Sequence, residues 1–119
     1  MTVVETSENA KKLELQTHYY KASYEEIKKL YLSILEEEKH TVVSINDDYT
    51  EIYSEIPHME VIAKIIMQDP KETSIDFYIN SDFMVGAKGK AEKFIQRVLA
   101  KIDAAYEFKG VSLHKEITA

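Results

Sequence analysis

A chain of 119 residues, 45% hydrophobic and 30% charged, is sized for one globular domain that buries roughly two-thirds of its unfolded surface. Its formal charge of −6 repels nucleic acid and anionic membranes, and the absence of cysteine removes disulfide and thiolate chemistry. No apolar run is long enough for a membrane span, and a single arginine, Arg97, leaves little scope for bidentate guanidinium clamps.

The first ten residues have neither a basic region nor an apolar core, so they read as a flexible tail rather than a secretory signal, and a cytoplasmic location is the expectation. Leu13, Leu15, Thr17 and Tyr19 alternate with Glu14, Gln16, His18 and Tyr20, the period of a first strand. Ser23 with Glu26 forms a capping box, and Tyr24, Ile27, Leu30, Tyr31, Ile34 and Leu35 follow at helical spacing. Glu36 to Glu38 is a solvated run near the helix end, partly offset by Lys39 and His40.

Thr41 to Ile45 is a short β-branched run. Asn46-Asp47-Asp48 signals a turn into Tyr49 to Ile56, and Pro57 ends that run or marks an edge. Met59 to Gln68 is the most apolar strand, with Val61, Ala63, Ile65 and Met67 on one face and Ile62, Lys64 and Ile66 on the other. Pro70 sits second in the turn Asp69 to Glu72.

Thr73 to Asn80 alternates strictly, with Ile75, Phe77 and Ile79 on one side. After a glycine-lysine loop, Ala91 to Phe108 takes the helical period: Phe94, Ile95, Val98, Leu99 and Ile102 form a stripe. Gly110 is placed as a left-handed stop with Val111 folding back on Tyr106, and residues 112–119 read as a tail. The order β-α-β-β-β-β-α predicts one α+β domain over residues 11–111. It is a two-layer sandwich, with two helices on one face of an antiparallel sheet of four to five strands.

The strand into Lys21-Ala-Ser-Tyr-Glu-Glu-Ile27, then a helix to Leu35, resembles the opening of START-like helix-grip proteins. The closing helix Ala91 to Phe108 is similar to the one their curved sheet grips. That resemblance implies a small apolar ligand held between helix and sheet. The superfamily shares no catalytic motif, so it assigns no functional residue. The element order also resembles the TATA-binding-protein sandwich in shape.

Among chemistry-bearing motifs, Gly86, Lys88, Gly89 and Lys90 form the most suggestive group. Amide groups at a helix start attract anions, and Lys93 lies nearby. The spacing is too short for a Walker loop, and no Ser or Thr follows Lys90 to meet magnesium. It resembles the Gly-x-x-Gly loop of K-homology RNA-binding domains, except that a strand precedes it.

His18, His40, His58 and His114 have no metal-ligand spacing. Asp47, Asp48 and Glu51 lack the regularity of a calcium loop, and His58-Met59-Glu60 is a weak pair, so no metal or cofactor is expected. No nucleophile elbow and no carboxylates paired in an apolar setting point to catalysis.

Eight tyrosines without tryptophan stand out. Tyr20, Tyr53 and Tyr78 fall on the less apolar faces of their strands, where Ile62 and Ile66 can join them in a patch. The reading that follows is a small binding or assembly module that forms a homodimer through its open sheet face. A carrier of a small apolar ligand, and a phosphate or nucleic-acid binder at Gly86 to Lys90, are the alternatives.

Overall fold

The computed structural model describes residues 2–7, 10, 15–82 and 86–111. Its centre is β6 (Glu72–Ser81), where strict alternation gives one greasy and one polar side. Strand β5 (Met59–Asp69) pairs with β6 from Met59↔Ser81 to Asp69↔Glu72, across a two-residue turn in which Asp69 Oδ1 accepts the Lys71 amide at 2.8 Å. Strand β4 (Glu51–Ile56) joins β5 through Pro57 and His58, the latter in the left-handed region (φ 67°). Strand β3 (Thr41–Asn46) pairs with β4 and forms one edge.

On the other side of β6 two short strands lie end to end. β1 (Thr2–Glu5) pairs with Tyr78 to Ser81, and β2 (His18–Lys21) with Thr73 to Ile75. β7 (Glu107–Val111) closes the second edge beside β2. Among the described residues, each pairing between these strands is antiparallel, in a seven-stranded sheet ordered β3-β4-β5-β6-β2-β7 with β1 beside β6.

One face of this sheet carries α1 (Tyr24–Glu37) and α2 (Ala87–Ala105). Ile27, Tyr31 and Leu35 from α1, and Phe94, Val98 and Ile102 from α2, share one core with Val61, Ile65, Ile75 and Phe77. The capping box at α1 forms as the sequence requires: Ser23 Oγ accepts from the Glu26 amide at 3.2 Å, and Glu26 Oε1 accepts from the Ser23 amide at 3.1 Å. The end of α1 is a Schellman turn. Lys39 takes φ 62°, its amide donates to the Glu36 carbonyl, and the His40 amide donates to that of Leu35. His40 then stacks on Phe94 at 4.7 Å, and Arg97 of α2 grips Glu38 through Nε and Nη2, tying the two helices together. No helix among the described residues is long and apolar enough to cross a membrane.

The expected α+β class and antiparallel sheet are present, but the sheet has seven strands rather than four to five. The additional strands are β1, in what read as a frayed tail, and β7, after the last helix. Both are too short to declare a period; their hydrogen-bond partners lie far away in the chain.

Helix α2 starts and ends earlier than its apolar stripe suggested, at Ala87 and Ala105. Gly110 is therefore not a helix stop. It lies in β7 opposite Tyr19 with φ 133°, and Val111 continues that strand opposite His18, outside any helix end. The faces around residue 20 are also reversed. His18 and Tyr20 lie opposite Ile75 and Thr73 on the helix side, and Tyr19 lies opposite Ser74 on the other. The readings at residues 11–14 and 112–119, His114 included, fall outside the described residues.

Candidate functional site on the helix-free sheet face

Residues directly opposite in an antiparallel pair share a face, so the register alone assembles this surface. Tyr53 lies opposite Ile62, and Ile62 opposite Tyr78, giving one transverse row across β4, β5 and β6. Ser44 extends the row on β3 and Glu5 on β1. Tyr53 and Ile62 are half-buried, and Tyr78 is 40% exposed.

A second row runs Glu51, Lys64, Asp76, and a third runs Glu55, Glu60, Asn80. Ile66 lies beyond Lys64, opposite Ser74, in the row that leads to Tyr19. The face around the tyrosines thus carries Glu5, Glu51, Glu55, Glu60 and Asp76 against Lys64. The Glu60 carboxylate, followed by burial and by Glu55, raises the Tyr53 phenol above its ordinary pKa.

A cleft of about 310 Å³ runs along this face beside Ile62, Lys64, Asp76 and Tyr78. Glu5, Thr6, Ser7 and Thr17 form its wall. Thr6 continues the ladder: its amide donates to the Phe77 carbonyl at 2.9 Å and its Oγ1 accepts the Phe77 amide at 2.8 Å. The hydroxyls of Thr6 and Thr17 both donate to Asp76 Oδ1, at 2.7 Å and 2.8 Å, which pins the residue after β1 and the residue before β2 to one carboxylate. These partners are 70 and 59 residues apart in the chain, and no local pattern announces them.

Four of the five tyrosine-patch residues share this face: Tyr53, Ile62, Ile66 and Tyr78. Tyr20 does not join them. It is fully buried on the helix side, its hydroxyl donates to Asp103 Oδ1 at 2.7 Å, and its ring packs 5.6 Å from Phe108. Burial first, then Asp103, pushes its phenol far above the ordinary range.

The glycine-lysine group is a helix start rather than a loop. Gly86 is the N-cap with φ 76°, Ala87 to Lys90 form the first turn, and the Lys90 amide donates to the Gly86 carbonyl at 3.0 Å. Lys88, Gly89 and Lys90 are exposed there, at the positive end of the helix dipole, where cations are disfavoured.

Between α2 and the sheet, Phe94, Ile95, Val98 and Ile102 fill the space, each no more than 2% exposed. Polar groups within this layer include Tyr20, Tyr31, Ser54 and His40, with His40 Nδ1 3.3 Å from Ser54 Oγ. His18 Nδ1 is 2.7 Å from the Gln16 carbonyl, and His58 pairs with Asp82 at 3.0 Å on the surface. Among the described residues no three His, Asp or Glu side chains gather as a metal site. Compared with family models, curated proteins and solved structures, the chain matches none, so the reading of this face stands on its geometry and charge.

Proposed function

We propose that the chain is a small binding module whose working surface is the helix-free sheet face, and that the occupant is a basic polypeptide segment bearing apolar side chains. The observation that carries this reading is Glu55 placed directly opposite Glu60, beside the Tyr53-Ile62-Tyr78 row. Like charges opposite one another across a strand pair destabilise a sheet. A lysine or arginine laid between these carboxylates relieves that repulsion, and the tyrosine rings beside it accept a cation over their faces. The apolar side chains of the same segment cover Ile62 and Tyr78.

A second copy of the chain is a poorer occupant. Face against face, the carboxylates of one molecule meet those of the other. The carrier reading lacks support because side chains fill the layer beneath α2.

A short alternating lysine-leucine peptide, titrated into ¹⁵N-labelled protein, tests the proposal. The expected amide shifts centre on Tyr53, Ile62 and Tyr78, weaken with added salt, and vanish in the Tyr53→Ser/Tyr78→Ser variant. Shifts elsewhere, or shifts that survive in that variant, would contradict it.

A further inference from the structure

The edge strands β3 and β7 differ sharply. Strand β7 carries Glu107 and Lys109, which pair with Lys21 of the neighbouring β2 and with Glu72 of β6 beyond it. Strand β3 reads Thr-Val-Val-Ser-Ile-Asn: six exposed residues with no charge and no proline, in a chain where 30% of residues are charged. Val42, Val43 and Ile45 are 40%, 52% and 43% exposed. An edge of this kind is a template for another strand, and natural edges usually carry charges or proline to prevent that.

The register within β3 narrows the choice of strand. A bulge at Val43 shifts the pairing with β4, so that Val42 lies opposite Ser54 and Ile45 opposite Ile52. Both partners are buried on the helix side, so Val42 and Ile45, three residues apart, share that face. Thr41 and Asn46 lie opposite Glu55 and Glu51 and share the other face.

β3 is therefore self-complementary about its own middle. Turned antiparallel against a second β3, Val42 meets Ile45 twice on the helix side, and Thr41 meets Asn46 twice on the open side. Just past the strand ends, the same register directs Lys39 of one copy towards Asp48 of the other. Such pairing about a two-fold axis is an isologous contact, which closes at two copies.

We infer that the protein pairs with a second copy of itself through β3, forming one continuous sheet with both helix layers on the same side. The seam covers Val42 and Ile45, and it leaves the Tyr53-Ile62-Tyr78 rows of both copies exposed side by side. This contact is independent of the peptide-binding proposal and uses a different surface.

Two double variants test the contact and its register, with mass read by sedimentation velocity and folding by circular dichroism. Both positions are solvent-exposed, so the isolated fold tolerates charge there. Val42→Lys/Ile45→Lys sets lysine against lysine at the seam and is expected to be monomeric. Val42→Lys/Ile45→Glu sets lysine against glutamate twice and is expected to restore the two-copy mass of the unaltered protein. A monomeric unaltered protein at its highest soluble concentration would overturn the inference. So would an open series of larger species, a lysine-lysine variant that still pairs, or a lysine-glutamate variant that does not.

Discussion

Single residues carry strain and charge that the fold has to hold in place. Lys39 occupies a left-handed position at φ 62°, where a β-carbon is disfavoured and glycine is not. Lys39→Gly is expected to stabilise the protein by about 0.5–1 kcal/mol, after allowing for glycine's own chain entropy, in urea unfolding. At the other end of α1, Ser23→Ala removes the cap and is expected to destabilise by about 1 kcal/mol. That capping box was legible because all its atoms lie within four residues.

His40 is held below its ordinary pKa of 6.5 by burial first; Glu38 opposes the shift and Arg97 adds to it. Burial likewise lowers His18, against the Gln16 carbonyl and Asp103. The folded state therefore prefers both rings neutral. Their stabilising contribution is complete above pH 6.5 and is lost as the pH falls through that value towards the lower folded pKa. His40→Asn is expected to flatten this part of the stability profile, above the ordinary Glu value of 4.5 where carboxylates begin to take part. An unchanged slope in pH-dependent urea unfolding would contradict the assignment.

At the scale of elements, long periodic segments were readable and short paired ones were not. β5, β6 and α1 announce themselves through apolar spacing over ten or more residues. β1 has four residues, and what makes it a strand is its pairing with β6, more than seventy positions away. The reversed face of Tyr20 has the same origin. The local alternation around it is equally compatible with either side, and the pairing of Tyr20 with Thr73 decides.

β1 makes a sharp distinction between a strand and a frayed tail. Val4 is 5% exposed on the helix side and Val3 is 44% exposed on the open side. Val4→Asp is expected to destabilise by about 2 kcal/mol or more, and Val3→Asp by less than about 0.5 kcal/mol, in thermal or urea unfolding. Equal effects would deny β1 its place in the sheet.

For the molecule as a whole, the two helices leave one broad face and one neutral edge unpartnered. The tyrosines and isoleucines of the face were legible as a group, because strand alternation sorts them onto one side. Their acidic surroundings were not. The opposition of Glu55 and Glu60, and the anchoring of Asp76 by Thr6 and Thr17, exist only once the register is set.

Charge then separates the two proposed associations: a basic segment on the acidic face, and a second copy at the neutral edge. Glu60→Lys turns a like-charge pair into an opposite one and is expected to raise stability by a few tenths of a kcal/mol or more. The same substitution removes half of the acidic pair that the basic segment is proposed to meet.

Isothermal titration of the lysine-leucine peptide into the unaltered protein and into Glu60→Lys puts the face to its hardest test. Binding by the unaltered protein and at least about tenfold weaker binding by the folded variant, roughly 1.4 kcal/mol, is the expected result. Equal affinity in the two proteins, or no binding by either, would contradict the assignment of this face as the working surface.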